Sequence, residues 1–561
     1  MARIAALLVA LIFAGCSGSR AQAASDGRKT SEGWAWAKIR NDEIADFNDR
    51  CRKEWDSSKE LDPHKKEGWD DPCRQISQQF LVNVLTNPKL QDQIPHHGVR
   101  LRGVNVAGGI DLTDAEIKPE VRIEISRIEG DATLDDSRWK RPVSLNGSAV
   151  TGDFSAQRIH AESAIQLNDA LFEGGVDLSD AKVGGDLEMW GSSFGGEVGL
   201  TSATIDRSVT MGKASFAKKV DAEGLNVGQG LFMHLGAEFK GDVFLIGAKV
   251  GGNLELRSAK AWFVDLSSAE VGELHIGGLR WWSAHGQPWT GIAANPLTLG
   301  RRGSQVPRCD SSADSGPPKL ILRNLHVGAF QDDPDAWPPC LDLEGFRYDR
   351  LGGMAGVSKA ANTGRADMRA RTADEWAAWL ERDPVFSTQP YSQLSSVLAA
   401  AGNREAAEEI QFAGRERERG EAWKHSFWSW TWLSFLSKVA GYGIGLYTFR
   451  ALWWVLGLTV VGAVVLWFRR MHAGRAYSGG SAQVCIDYCR LSISARSSRT
   501  SLTTWSQTIP RDHAISTGGK LPILQDMPSP VGCSAYSCLP RWVGLRRRDS
   551  CVSKESGSVE R

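Results

Sequence analysis

Small and apolar side chains recur every 11 residues through the middle of the chain. The repeat units begin at Val104, Ala115, Ser126, Ser137, Ser148, Ile159, Ala170, Ala181, Ser192, Ala203, Ala214, Leu225, Ala237, Ala248, Ala259 and Ala269. Counting the first residue as position 0, positions 0, 2, 6 and 8 are small or apolar, as in Ala181, Val183, Leu187 and Met189. Because side chains alternate between the two faces of a strand, the spacing of two predicts short β-strands.

Glycine often stands at position 4 of the unit, where a missing Cβ lets the chain turn or pack closely. These glycines are Gly108, Gly130, Gly152, Gly174, Gly185, Gly196, Gly241 and Gly252. In the first six units glycine is alternately present and absent, which indicates coils of 22 residues made of two 11-residue halves. The pattern predicts a mainly β fold, with a parallel β-helix over residues 101–280 and about eight coils from sixteen units.

Other segments flank the repeat. Residues 24–100 are predicted to form a mostly helical N-terminal cap, and residues 281–355 a loop followed by a terminal coil or cap. Residues 356–425 contain two apolar faces at helical spacing, separated by Gly402 and Asn403, and are predicted to form a helical hairpin that packs on the rod. The Arg/Glu run from Arg415 to Glu421 is interpreted as a solvated helix face.

Two segments predict export and membrane anchoring. Residues 1–23 have a basic start, an apolar run and an Ala-Gln-Ala end, as in a secretory signal peptide; lipoprotein processing at Cys16 is the alternative. Ala451 to Phe468 contains 18 uncharged residues, enough for a helix of about 27 Å that crosses a membrane. Residues 426–450 supply an aromatic interfacial segment.

The distribution of arginine predicts the orientation. Arg469, Arg470 and Arg475 follow the apolar run, whereas Arg450 is the sole basic residue directly before it, which places the tail 469–561 in the cytoplasm. The bulk of the chain is then periplasmic, held at the bacterial inner membrane by a single pass. The tail lacks periodicity, so we expect disorder, and an altered reading frame in this part of the gene is a second hypothesis.

Composition excludes some classes of protein. The 66 basic and 66 acidic side chains balance, which argues against a general nucleic-acid binder. Apolar residues make up 42% of the chain, too few for a polytopic membrane protein and too many for a disordered chain.

The cysteines before the apolar run at Ala451 to Phe468 are predicted to lie in an oxidising compartment. Cys51 with Cys73, and Cys309 with Cys340, are predicted disulfides. Zinc binding is disfavoured because CxxC spacing and histidine pairs at ligand spacing are not found. The cysteines predicted to lie in the cytoplasm, as free thiols, are Cys485, Cys489, Cys533, Cys538 and Cys551.

Candidate chemistry is sparse, and we predict neither catalytic residues nor a cofactor or metal site. Asp332, Asp333 and Asp335 are interpreted as a turn around Pro334 rather than a calcium loop. The histidines in or beside strands are interpreted as ordinary surface or ladder residues without a regular partner: His160, His234, His275 and His326. For a β-helix lyase or hydrolase, carboxylates along one outer face would be needed, and the candidates are Asp177, Asp180, Asp186 and Glu188.

The order of segments resembles known solenoid proteins. FKGDVFLIGAKVGGNLELRSAKAW, from Phe239 to Trp262, is similar to pentapeptide-repeat and bactofilin solenoids. Together with the signal, cysteine pair and β-helix, three further segments resemble a family of bacterial membrane-anchored repeat proteins: LDLEGFRYDRLGG (from Leu341), QPYSQLSSVLAAAGNREAAEEI (from Gln389) and GYGIGLYTFRALWW (from Gly441). Members are sometimes labelled membrane-associated oxidoreductases. The likeness covers about residues 30–468 and implies architecture without any catalytic residue.

Three function hypotheses follow. The first is a non-enzymatic envelope scaffold that presents a rod to an unidentified envelope protein or glycan. The second is a carbohydrate-binding or carbohydrate-active protein using the flank of the rod and the tryptophans Trp281, Trp282 and Trp289, which otherwise serve as a cap. The third, a membrane-associated oxidoreductase, follows from the family resemblance alone, since the chain has no dinucleotide fingerprint or haem motif.

Overall fold

The computed structural model describes residues 30–55, 61–282, 309, 317–333, 336–352, 368 and 371–475. The predicted signal peptide, Cys16, Trp289, Pro334, Asp335 and residues 476–561 with their five cysteines lie outside the described residues. The chain divides into a unit that ends at Ala473 and a second that begins at Gly474.

Two parallel sheets face each other and form a β-solenoid of about ten turns. The first sheet contains the strands Ala45–Asp46, Val99–Arg102, Glu116–Ile117, Val121–Glu124, Arg138–Trp139, Val143–Ser144, His160–Ala161, Ile165–Gln166, Lys182–Val183, Leu187–Glu188, Thr204–Ile205, Val209–Thr210, Asn226–Val227, Leu231–Phe232, Lys249–Glu255, Glu270–His275, His326–Gln331 and Arg347–Leu351. The second contains Gln75–Ser77, Asn105–Ala107, Ile110–Asp111, Arg127–Glu129, Ala132–Thr133, Ala149–Val150, Phe154–Ser155, Leu171–Phe172, Val176–Asp177, Ser193–Phe194, Val198–Gly199, Ser215–Phe216, Val220–Asp221, Glu238–Phe244, Lys260–Asp265, Arg280–Trp281, Lys319–Ile321 and Cys340–Asp342.

Hydrogen-bonded neighbours over most of the repeat lie 22 positions apart in sequence. Val143 pairs with Ile165, and Ile165 pairs with Leu187. The solenoid has about ten turns rather than the eight predicted because strand pairing continues beyond Trp282, with Lys319–Ile321 and His326–Gln331. Lys319–Ile321 pairs with Lys260–Asp265, so the chain resumes the ladder that it left.

The predicted inward positions fill the space between the sheets. Ala181, Val183, Leu187 and Met189 are each at most 1% exposed. The same four positions are buried in successive units, so every coil completes the apolar surface that its neighbour leaves open.

A left-handed backbone conformation recurs once in every half-coil, directly before the small residue at position 0. These residues have φ between 48° and 70°: Asp114, Ile125, Asp136, Gly147, Arg158, Asp169, Asp180, Gly191, Ser202, Lys213 and Gly224. The next residue closes the turn, as when the Ala181 N–H donates to the Leu178 carbonyl at 3.1 Å. The turn therefore lies at this place in each half-coil, and position 4 has another role.

Most position-4 glycines allow adjacent coils to touch. A Cβ on Gly196 would lie 2.4 Å from the Gly174 carbonyl oxygen. Gly152, Gly174, Gly185, Gly241 and Gly252 are similarly crowded, so close packing explains six of the eight glycines. Gly108 and Gly130 alone among the eight have positive φ, as a turn requires.

The N-terminal cap combines helices with the first strands of the ladder. Its helices are residues 30–40 (α1), Phe47–Trp55 (α2), Gln78–Thr86 (α3) and Pro88–Gln91 (α4). Ala45–Asp46 and Gln75–Ser77 already pair with strands of the first coil. Leu81, Val84 and Leu85 of α3 join the solenoid core and cover its first turn.

Aromatic side chains close the other end. Phe330, Phe346, Tyr348, Trp337 and Trp379 form a contiguous cluster with ring centroids 5.1 to 6.3 Å apart. A solenoid needs such covering because its last coil has no following coil.

Helices follow the solenoid: Ala373–Leu380 (α5), Gln389–Ala400 (α6), Arg404–His425 (α7), Phe427–Ala440 (α8) and Arg450–Arg475 (α9), with 3₁₀ turns at Gly441–Gly443 and Gly445–Phe449. The side chains of Gln389 and Gln393 bind the carbonyls of Phe346 and Tyr348 and fasten α6 to the last coil. The Arg415–Glu421 run is only partly solvated, because Arg417 donates to the Leu380 and Asp383 carbonyls.

One helix among the described residues is long and apolar enough to cross a membrane. It covers Tyr447–Met471, has a mean hydropathy of 2.1 and has no buried part. The preceding helix α8 exposes Phe427, Trp428, Trp432 and Phe435 by 54 to 81%.

Candidate functional site

The outer face of the first sheet carries two columns of side chains, at positions 7 and 9 of its half-coils. Early in the solenoid these columns are polar and bond along the rod. The Asn168 and Trp190 N–H groups donate to Asn146 and Asn168 side chains at 2.8 and 3.0 Å. From Trp190 onward the columns change to aromatic, histidine and charged residues.

These later residues form the histidine–aromatic patch, which we define as Trp190, Phe232, His234, Glu255, Arg257 and His275. Strand pairing brings them together: Phe232 lies beside Glu255, and Glu255 lies beside His275, on successive rungs of the first sheet. The side chains of His234, Glu255 and His275 are only 15%, 14% and 8% exposed although they point outward.

Glu255 is at the centre of the patch. Its Oε2 lies 2.9 Å from Nδ1 of His234, and its Oε1 forms an ion pair with Nη2 of Arg257 at 2.9 Å. Nδ1 of His275 lies 3.9 Å from the same Oε1. A carboxylate held by a guanidinium and an imidazole is fixed in position and orients both partners.

The environment shifts two of the pKa values. The hydrogen bond from His234 lowers the pKa of Glu255, and Arg257 and the two histidines add to this effect against the opposing influence of burial. Burial lowers the pKa of His275, an effect strengthened by Arg257 and opposed by Glu255 and Asp332. Glu255 is therefore ionised and His275 is neutral at pH 7.

Aromatic rings form the other side of the patch. The Trp190 ring lies over Gly212, where a Cβ would come within 2.3 Å of the indole. His234 meets Trp190 edge to face at 6.1 Å and Phe232 at 5.5 Å, and Lys213 lies 5.3 Å from the Trp190 ring centre. The arrangement offers ring faces beside a fixed carboxylate and an imidazole, a combination that suits a polar ligand with apolar faces.

The sequence interpretation of the histidines was right in part. His160 and His326 are exposed ladder residues, and Nε2 of His326 lies 3.5 Å from Asp349. The expectation that His234 and His275 lack a regular partner is wrong, because both face Glu255. Sequence reasoning missed Glu255 and Arg257, although a step of about one coil from His234 leads to Glu255 and a second leads to His275.

The carboxylates proposed for a lyase-like face do not share one face. Asp177 belongs to the second sheet and Glu188 to the first, while Asp180 forms a turn. Asp186 accepts from the Ser208 N–H at 3.1 Å, and Asp177 accepts from the Ser179 N–H at 2.9 Å. They stabilise the ladder and do not converge on one point.

Asp332, one of the acidic residues interpreted as a turn around Pro334, is a structural residue. Its carboxylate is fully buried, accepts from Nη1 of Arg371 at 3.0 Å, and is also bound by Arg371 Nη2 and Trp337 Nε1. Asp333 is exposed.

Trp281 and Trp282, two of the three tryptophans considered for sugar binding, lie toward the C-terminal end of the solenoid. Trp281 is 8% exposed and donates from Nε1 to the Ala336 carbonyl at 2.7 Å, so its ring is unavailable to a sugar. Trp282 is partly buried, with Lys260 at 5.5 Å from its ring centre.

Both predicted cysteine pairs lie at disulfide distance. The Cα atoms are 5.8 Å apart in Cys51–Cys73 and in Cys309–Cys340. The first pair links α2 to the segment that enters the solenoid, and the second links Cys309 to the strand Cys340–Asp342.

Three potential metal ligands meet near the N-terminal cap, contrary to the sequence argument that histidines at ligand spacing are not found. They are Asp42, His96 and His97, whose ligand atoms all lie within 4.8 Å of one another.

A comparison with protein-family models, curated proteins and solved structures found no match to this chain.

Proposed function

We propose that this protein is a membrane-anchored envelope scaffold whose β-solenoid presents its outer face to a partner protein or glycan. The observation that carries the proposal is the presence, in the described residues, of both a filled solenoid and an apolar helix whose hydrophobic stretch has no buried residue. Because the lumen is occupied by its own side chains, the surface open to a partner is the outside of the rod.

The anchor is α9 with the adjoining α8. An apolar helix of this length is stabilised in hydrocarbon, and the exposed aromatic rings of α8 suit the membrane interface. The arginines after the span and the N-terminal apolar segment support a periplasmic solenoid and a cytoplasmic tail.

Anchoring is tested by fractionation and alkaline carbonate extraction. The native chain should stay with the membrane, whereas the double variant Val461→Arg/Val464→Arg should be extracted, since each arginine opposes insertion by roughly 2.5–3.5 kcal/mol. Asn226→Arg on the exposed face of the solenoid is the control. A native chain that is fully soluble would contradict the anchor, and protease applied to spheroplasts should cut the solenoid if it is periplasmic.

Partner contact is tested with a photocrosslinking amino acid placed at Asn226 or Lys249 on the first sheet, and at Glu223 near the second sheet. A scaffold that uses the first sheet as its binding face should yield a discrete crosslinked product from Asn226 and Lys249 and not from Glu223. Uniform or absent crosslinking would contradict a directed binding face.

Carbohydrate binding is the second candidate function, and the histidine–aromatic patch favours it. Trp190 and Phe232 offer ring faces, and Glu255 and His234 offer hydrogen-bonding groups. Trp190→Ala should weaken binding of peptidoglycan fragments at least about tenfold, a change equal to about 1.4 kcal/mol. Trp282→Ala is the matched control, and equal binding by both variants and the native chain would contradict the role of the patch.

A further inference from the structure

The possible metal ligands come from two turns that meet where the chain enters the solenoid. Asp42 follows α1 and adopts a left-handed conformation with φ of 61°. His96 and His97 precede the strand Val99–Arg102. The two turns are neighbours because Ala45–Asp46, which begins three residues after Asp42, pairs with Leu101–Arg102, which begins four residues after His97.

The three side chains converge on one carboxylate oxygen. Asp42 Oδ2 lies 2.7 Å from Nδ1 of His97 and 3.8 Å from Nδ1 of His96. The imidazole rings are neighbours, with centroids 3.8 Å apart and planes tilted by 40°, and Nδ1 of each ring is the atom nearest to Asp42 Oδ2. Zinc bonds of about 2.0–2.2 Å in tetrahedral geometry hold ligand atoms roughly 3.3 Å apart, so small side-chain rotations that lengthen the His97 contact and shorten the His96 contact would complete the site.

Arg100 restrains the carboxylate from its other side. Its Nη2 donates to the Asp42 main-chain carbonyl at 2.6 Å and lies 3.4 Å from Oδ1. This contact leaves Oδ2 directed to the histidines.

We propose that Asp42, His96 and His97 bind one divalent transition metal ion, with Zn²⁺ as the model ion. Two imidazoles and one carboxylate favour Zn²⁺, Ni²⁺ or Cu²⁺ over Mg²⁺ and Ca²⁺, which prefer oxygen ligands alone. The side chains of His96 and His97 are 75% and 54% exposed, so solvent or another ligand can complete the coordination. Bound metal would tie the turn after α1 to the first coil.

The test uses the full chain without a polyhistidine tag, purified in detergent, with its thiols blocked, and titrated with Zn²⁺ by calorimetry. We expect one ion per chain. Asp42→Asn, which tolerates the left-handed conformation, and His97→Gln should each weaken zinc affinity at least about tenfold. His326→Gln is the matched control, because His326 faces the single carboxylate of Asp349 at 3.5 Å.

Co²⁺ provides a second readout, since a visible absorption band from this site should disappear in His97→Gln. His96→Gln changes the most exposed ligand and covers the case in which another variant fails to fold. Zinc affinity unchanged in all three variants, or binding only at millimolar Zn²⁺, would overturn the proposal and leave the cluster as a hydrogen bond between Asp42 and His97.

Discussion

Phe194 lies inside a column of four phenylalanine rings in the second sheet. Phe172, Phe194, Phe216 and Phe239 stack with centroids 4.8 to 5.3 Å apart and planes within 8° of parallel. Phe194→Ala would remove the central contacts and leave a cavity between neighbouring coils. We expect a loss of about 3–5 kcal/mol in the free energy of unfolding, measured by urea denaturation in detergent.

The exposed residue Lys182 gives the control, because Lys182→Ala removes no buried surface and should stay within about 0.5 kcal/mol of the native chain. A Phe194→Ala chain as stable as the Lys182→Ala chain would show that the ring column adds nothing to stability.

His275 makes the stability of the folded chain depend on pH. Burial lowers the pKa of His275 from the ordinary value of 6.5, so the unfolded chain takes up a proton at a higher pH than the folded chain does. Its contribution to stability is complete above pH 6.5 and falls as the pH decreases. Glu255, whose pKa is lowered from 4.5, adds a similar loss at more acidic pH.

The thermal midpoint of the native chain should therefore decrease as the pH is lowered from 7.5 to 5.5. The decrease should be smaller in His275→Gln. Differential scanning calorimetry across this range makes the comparison. His160→Gln, at an exposed position of the same sheet, should follow the native chain. A slope in His275→Gln equal to that of the native chain would refute the role of His275.

Individual residues differ in how far the sequence predicts their contacts. The inward positions were predictable because an 11-residue period repeats the same requirement in each unit. Glu255 and His275 could not be recognised as neighbours in the same way, because the register changes there. Phe216 pairs with Phe239 after 23 residues, whereas Val250 pairs with Val271 after 21.

At the scale of the element, the kink between two short strands depends on coil-to-coil approach. Gly196 separates Ser193–Phe194 from Val198–Gly199 and faces the backbone of Gly174 and Gly175. Gly196→Ala would force the coils apart, because the atoms nearest to the new Cβ are backbone atoms of Gly174 and Gly175 that cannot rotate away. We expect a loss of about 1–3 kcal/mol in the free energy of unfolding.

Gly33→Ala is the control for this prediction. Gly33 lies in α1 with open space around its Cα, and alanine favours a helix by about 1 kcal/mol over glycine. The two substitutions should thus shift the urea midpoint in opposite directions. A shift of equal sign would contradict the packing role assigned to Gly196.

Helix α7 shows how tertiary contacts alter the interpretation of an element. Its charged run is typical of a solvated face, yet Arg417 donates to the carbonyls of Leu380 and Asp383 at the end of α5, and Glu416 accepts from Tyr442 at 3.0 Å. The charged groups of Arg417 and Glu416 therefore form hydrogen bonds that join α7 to neighbouring segments. Sequence alone does not reveal this, because charged residues on a solvated helix face and charged residues that join two helices have the same spacing.

At the scale of the whole molecule, Asp332 and Arg371 join the last coils to the helices that follow. The pair is almost completely buried, with side chains 0% and 7% exposed. Asp332→Ala would leave the Arg371 guanidinium without its carboxylate inside the cap. We expect a loss of about 3–5 kcal/mol, detected as a lower thermal midpoint and earlier proteolysis after the solenoid.

Asp333→Ala is the neighbouring control, since Asp333 is exposed. Asp332→Asn should fall between the two variants because an amide oxygen can still accept from Trp337. Similar proteolysis of the Asp332→Ala and Asp333→Ala chains would contradict the fastening role.

The sequence by itself determined the parallel solenoid, its inward positions and the apolar helix, because each depends on a local period or a continuous run of side chains. The cysteine pairs were also predictable, since few partners were available. Only the tertiary structure decided which residues outside the repeating core contact one another. These contacts form the histidine–aromatic patch, the Asp42 cluster and the buried Asp332–Arg371 pair. These contacts join residues from different coils or turns, and their partners depend on strand register and end packing, which no single repeat unit specifies.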